Sequence, residues 1–157
     1  MAANFGFAAA GLAALASARF APQERVFLTM TEAAGGRVHA IQLYEHEGDP
    51  KDLREFGVWV PVATGLKYPT YSAFDFEHSE FYVCDCDEIV KFSVAFPGPE
   101  AEIPIKLTRQ GAVIEGVWCG GLAVDKFSNL LYVNRDKNQI NKVPRTLLAL
   151  DKYPVDL

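Results

Sequence analysis

The chain has 157 residues, 50% of them apolar and 22% charged, the profile of a folded globular domain and not of a disordered one. That length suits one domain with a substantial core and is short for two. A formal net charge of -5 and an isoelectric point near 5.2 argue against a nucleic-acid binder, which needs a basic face for phosphate contacts.

Residues 1–22 are apolar and carry no acid, and two readings fit them. As a secretory signal they offer an apolar stretch and the small-residue pattern Ala16-Ser17-Ala18, although no Lys or Arg precedes it. The apolar run is shorter than the ~20 residues that span a bilayer, so no transmembrane helix is expected. As structure, Gly11-Leu12-Ala13-Ala14-Leu15 precedes Val26-Phe27-Leu28-Thr29 much as Gly121-Leu122-Ala123-Val124-Asp125 precedes its own next strand, which makes the leader a first inner strand. The first reading sends the protein to the secretory pathway or an organelle lumen, and the second leaves it in the cytoplasm.

From residue 23 to 157 the chain reads as one domain of strands and turns. Residues 25–30 are a short β-rich run, and 31–36 are a turn around Gly35-Gly36. Within 37–43, Val38, Ala40 and Gln42 alternate with His39, Ile41 and Leu43, the two-residue period of a strand. The charged stretch 45–55, with Gly48 and Pro50, reads as a surface loop. Pro61 confines the next strand, 58–64, to a sheet edge, because proline has no N–H for the ladder. Strands follow at 70–75, 81–85 and 88–94, ended by Pro97-Gly98-Pro99, and 102–107 is a second edge strand broken by Pro104. The last strands fall at 119–125, 130–134 and 139–143. Residues 147–150, between Pro144 and Pro154, are too few for a helix, and none is expected. The basic cluster Arg135, Lys137, Lys142 and Arg145, with Asp136 among it, reads as a solvated strand face and loop.

Part of this pattern occurs twice, about 50 residues apart. Ser72-Ala73-Phe74-Asp75, Phe81-Tyr82-Val83 and Ile89-Val90-Lys91-Phe92 are answered by Leu122-Ala123-Val124-Asp125, Leu131-Tyr132-Val133 and Ile140-Asn141-Lys142-Val143. A period of this length marks stacked units that bury their faces on one another. Three units emerge, each an inner strand, two middle strands and a proline-bearing outer strand, the third lacking a clear outer strand. Phe74, Phe81, Val83, Val124, Leu131 and Val133 are expected to pack between units. Aspartate at Val133 is therefore expected to abolish folding by burying an unpaired charge.

The run Gly121-Leu122-Ala123-Val124-Asp125, with Asn129-Leu130, Tyr132-Val133 and Ile140, Lys142-Val143 behind it, resembles one blade of an NHL-type or strictosidine-synthase-like (gluconolactonase-like) β-propeller. Ala63-Thr64-Gly65-Leu66-Lys67-Tyr68-Pro69 resembles the crossing from one blade to the next in such proteins, and the likeness covers roughly residues 24–145. It implies an all-β fold, a partial propeller of about three four-stranded antiparallel blades. Families of this kind close with six blades, so either the chain is a fragment of a longer gene, or it presents an open half-ring, or, as is expected, a protein partner or a second copy completes the ring and covers its open edges.

Candidate chemistry is sparse. Cys84-Asp85-Cys86-Asp87 follows a middle strand, and Cys119 opens an inner one, so the thiols are expected to approach one another on one face. Three cysteines, an odd count, make no disulfide framework. A bound metal, a redox or disulfide pair, and ordinary small core or turn residues all remain open for them. Asp75 and Asp125 recur at one position and are expected to accept backbone N–H groups in the turns that follow. His78, beside Glu77 and near Asp75, is read as turn chemistry. The expected function is a non-catalytic binding or assembly module. Its loop face would present Cys84, Asp85, Cys86, Asp87, Glu115, Trp118, Cys119, Asn134 and Asp136 to a protein partner, with no cofactor. One alternative is a calcium-dependent hydrolase or lactonase, for which Glu115, Asn134 and Asp136 are of the right types. The other is an accessory subunit of a large organellar assembly.

Overall fold

The computed structural model describes residues 13–18, 25–43, 60–97 and 105–150. The charged loop expected at 45–55 and the start of the strand expected at 102–107 lie outside them. The described strands form three antiparallel sheets that follow one another along the chain. Sheet 1 holds β1 (Ala13–Ala18), β2 (Arg25–Glu32), β3 (Arg37–Leu43) and β4 (Val60–Ala63). Sheet 2 holds β5 (Pro69–Asp75), β6 (Glu80–Asp85), β7 (Glu88–Ala95) and β8 (Lys106–Glu115). Sheet 3 holds β9 (Cys119–Val124), β10 (Leu130–Asn134) and β11 (Gln139–Val143). In every sheet the strands lie in sequence order, as tight turns between alternating runs dictate. Among the described residues the fold is all-β apart from one short helix, α1 (Arg145–Leu148), which no sequence signal predicted. Its Leu148 is fully buried, so packing holds a turn too short to persist alone. No helix among the described residues is long and apolar enough to cross a membrane.

Several expectations hold and others shift. Ala13–Ala18, at the junction of the two leader readings, pairs antiparallel with β2. Pro61 lies in an edge strand, since β4 pairs only with β3. The outer strand of sheet 2 begins at Lys106 and runs to Glu115, well beyond the segment expected around Pro104. Its pairing with β7 slips twice, and Gly111 takes φ 147° between the slips. A bulge of this kind breaks the two-residue period by which a strand is recognised. Sheet 3 has three described strands, not four.

Two apolar cores lie between the sheets. Val38, Ala63 and Leu66 meet Phe81, Val83, Val90 and Phe92 between sheets 1 and 2. Tyr82, Cys84, Ile89 and Val113 meet Cys119, Leu130, Tyr132, Val143 and Leu148 between sheets 2 and 3. Tyr82 and Tyr132, matched in the repeat, thus enter one core from opposite sides. The cause is one residue of turn length. Residues 76–79 separate the paired Asp75 and Glu80, whereas 125–129 separate the paired Val124 and Leu130. A one-residue slip turns every following side chain to the other face. Val133 accordingly points outward at 36% exposure. Aspartate there buries no charge, which corrects the expectation drawn from the repeat.

An ionic cluster is buried beside the second core. Lys91 Nζ lies 2.8 Å from Glu80 Oε1 and donates to the Leu148 carbonyl at 3.4 Å. Tyr82 OH donates to Glu80 Oε2 at 2.6 Å, and Arg145 pairs with that same oxygen. Burial pushes the Glu80 carboxyl up, but the hydrogen bonds from Arg145, Lys91 and Tyr82 outweigh it and hold the group below its usual range. At the surface, the Asn129 side chain and backbone hold the Asp125 carboxyl down at about 2. Both groups are depressed in the folded chain, so the stability they contribute is present above the ordinary carboxyl pKa and lost as pH falls through their folded values. The urea midpoint is expected to hold from neutrality to about pH 5 and to fall between about pH 4 and pH 2. Asp125→Asn is expected to flatten the lower part of that fall. A midpoint constant down to about pH 2 would contradict ionised pairing.

Candidate functional site

Two connections of the same design build the walls of a cleft. Asp85 closes β6, and its buried carboxylate accepts the N–H groups of Lys67 at 3.0 Å and Tyr68 at 2.6 Å. The Tyr68 carbonyl in turn accepts the Cys86 N–H at 3.2 Å. One unit further on, the Asp136 carboxylate accepts the Trp118 N–H at 3.0 Å, and the Trp118 carbonyl accepts the Arg135 N–H at 2.9 Å. Aspartate suits the task because its short side chain reaches backbone donors where the chain turns. Each unit therefore pins the backbone of one aromatic residue on both sides while its ring stays in solvent. Tyr68 is 52% exposed and Trp118 59%.

The cleft between these walls has a volume of about 850 Å³, and its lining includes Tyr68, Thr70, Tyr71, Trp118, Arg135 and Asp136. Thr31, from the end of β2, closes one side by donating its hydroxyl to the Thr70 carbonyl at 2.8 Å. The Arg135 guanidinium lies 5.7 Å from the Trp118 ring centroid, and its Nη2 donates to the Tyr71 hydroxyl at 3.4 Å. Gly120 makes room for it, since a Cβ there would stand 2.7 Å from Arg135 Cγ. On the rim, Lys67 Nζ pairs with Asp87 at 3.2 Å and holds that carboxyl below its usual range.

Of the residues expected on a loop face, Cys86, Asp87, Trp118, Cys119 and Asp136 do line this cleft. The others do not. Asp85 is buried in its structural task, and Asn134 is buried with Oδ1 accepting the Lys137 N–H at 3.2 Å. Glu115 ends β8 opposite Glu88 and is exposed. Cys84 is buried and joined to Cys119 by a disulfide, with Cα atoms 5.6 Å apart. A disulfide pair is one of the readings the sequence leaves open for the three cysteines, and the structure places it between these two. It forms because Cys84 faces sheet 3 from the end of β6, where β9 begins. Cys86 lies beyond β6, in the two-residue turn between the paired Asp85 and Glu88, with φ at 57° and a free, exposed thiol. Tyr68 and Tyr71 are not among the site residues expected from the sequence, and Arg135 is read there only as part of a solvated basic cluster. An aromatic residue just before an inner strand in both repeats, Tyr68 and Trp118, was the signal that could have found the site.

The other candidate groups are structural. Asp125 Oδ1 accepts the N–H groups of Phe127 at 2.8 Å and Asn129 at 3.0 Å, the turn role expected of it. Asp75 takes the Ser128 hydroxyl at 3.0 Å on one oxygen and meets His78 Nδ1 at 2.9 Å on the other. In this row the carboxylate stands between serine and histidine, so the imidazole has no path to the hydroxyl proton and no nucleophilic triad exists. Among the described residues, no group of three or more His, Cys, Asp or Glu side chains is placed to hold a metal ion. No family model matches the chain, and no curated protein matches it.

Proposed function

We propose that the three sheets are units of a partial β-propeller, and that the protein is a non-catalytic binding module that takes an extended segment of a protein partner in the cleft. The observation that carries this reading is the pair of exposed rings, Tyr68 and Trp118, fixed at the backbone by Asp85 and Asp136. Tyr, Trp and Arg dominate the energetics of protein interfaces, and Tyr71 and Arg135 stand beside the two rings. Pinning the aromatic residues before binding removes part of the ordering cost that association otherwise carries. The radial arrangement is supported by sheets 2 and 3 each burying one face on the sheet before it. The calcium-dependent alternative asks Glu115, Asn134 and Asp136 to share one cation, yet Asn134 and Asp136 already hold separate backbone N–H groups.

The test is a selection of random peptides on the purified chain, followed by affinity measurement. Trp118→Ala is expected to weaken the selected peptides about thirty-fold or more, and Tyr68→Ala about ten-fold. Both rings are exposed, so the stability of the variants is expected to stay within about 0.5 kcal/mol of the parent. Failure to enrich any peptide, or equal binding by both variants, would remove this reading.

A further inference from the structure

The cleft carries a cation that no carboxylate answers. The charged side chains in its lining are Asp87, Arg135 and Asp136. Lys67 Nζ, on the rim, lies 3.2 Å from Asp87, and one Asp136 oxygen accepts the Trp118 N–H at 3.0 Å. The Arg135 guanidinium forms no ion pair among the described residues. Its polar contact there is the long one to the Tyr71 hydroxyl, at 3.4 Å.

What separates Arg135 from an ordinary surface arginine is how it is held. Its backbone N–H donates to the Trp118 carbonyl at 2.9 Å, and its guanidinium lies 5.7 Å from the Trp118 ring centroid. A Cβ on Gly120 would stand 2.6 Å from Nε and 3.1 Å from Cδ, so the side chain crosses β9 through space that glycine leaves. Held at backbone, stem and tip, it has less rotamer freedom to lose when an anion docks. Its planar fork of N–H donors matches the two oxygens of a carboxylate. Exposed aromatic rings also suit a cation, but Arg135 already stands beside Trp118 and would repel one.

We propose that the segment taken in the cleft is acidic at one position: an Asp or Glu carboxylate docks on Arg135 while a neighbouring apolar side chain lies against Tyr68 and Trp118. This rests on the cleft being a site for an extended segment, and it adds the charge of what binds there. The rings supply contact area and the arginine supplies register, because a one-residue shift turns an extended segment's carboxylate to the other side. With a net charge of -5 the chain gives an acidic segment no long-range attraction, so the preference comes from this contact and not from the overall field.

Random linear peptides selected on the purified chain test this through a double-mutant cycle. The selected peptides are expected to share an Asp or Glu at a fixed spacing from an aromatic or large apolar residue. Changing that acid to its amide in the peptide, or Arg135→Gln in the protein, is expected to weaken binding about ten-fold each. Both changes together are expected to cost no more than either alone. Arg135→Lys is expected to recover only part of the loss, since an ammonium lacks the fork. If Arg135→Gln fails to fold, the amide peptide on the parent chain carries the test, and equal binding of acid and amide would overturn the proposal. Losses that simply add would overturn it too. Peptides that depend on Trp118 yet share no acid would overturn it and leave the cleft as the binding site, whereas failure to enrich any peptide would remove both.

Discussion

Replacing Glu80 with leucine is expected to cost about 3–5 kcal/mol, because it removes a carboxylate 2.8 Å from the buried Lys91 ammonium. It also takes the acceptor from Tyr82 and the counter-charge from Arg145. Desolvating an ion is costly, and only its partner offsets that cost, so half of a buried pair is worse than none. The double variant Glu80→Leu with Lys91→Met is expected to recover part of the loss: it removes the buried ammonium, while Arg145 still lacks its counter-charge and Tyr82 its acceptor. In thermal unfolding the single variant is expected to melt about 10 °C or more below the parent, and the double variant between the two. Equal losses in the two would show that the cluster acts through packing alone.

Breaking the Cys84–Cys119 bond is expected to have the next largest effect. The bridge spans 35 residues of sequence, and closing a loop of that length in the unfolded chain corresponds to about 3–4 kcal/mol on the chain-entropy account. The bond also fixes the start of β9 to the end of β6, immediately after Trp118 in sequence. Reduction should therefore lower the urea midpoint and weaken peptide binding together. Cys84→Ser is expected to reproduce both effects and to be insensitive to reductant. An oxidised parent chain in which three thiols react with an alkylating reagent would contradict the bond itself.

The strands of sheets 2 and 3 other than β8 were legible because each is a short run rich in β-branched and aromatic residues, set off by turns that carry Asp, Asn or Gly. What escaped notice has local causes. In β8, Lys106, Arg109 and Gln110 face solvent, and the Gly111 bulge resets the alternation, so only the stretch around Pro104 looked like a strand. The Tyr-Val match at Tyr82 and Tyr132 aligned letters across a turn one residue longer in the second repeat, and this put Val133 on the wrong face. Period-two patterning cannot report a slip that conserves the period. The disulfide was one of three readings left open for the cysteines, because three thiols have no unique pairing and its partners meet only once sheets 2 and 3 pack. Asp85 and Asp136 were picked out as groups offered to a partner, but they hold the chain at Tyr68 and Trp118. An aspartate at the end of a strand is compatible with either role, and only the position of the backbone donors decides it. The cleft draws on β2, β5, β9, three turns and the connection at 116–118, so its lining is a product of the packing and could not be read from one stretch of sequence.

Backbone hydrogen exchange with a selected peptide bound tests most directly whether this cleft is the binding surface. Protection is expected at residues 68–71, 116–119 and 135–136, where the cleft is lined, with no change at the opposite turns around His78 and Phe127. Protection confined to those turns, or to β11, would contradict the assignment.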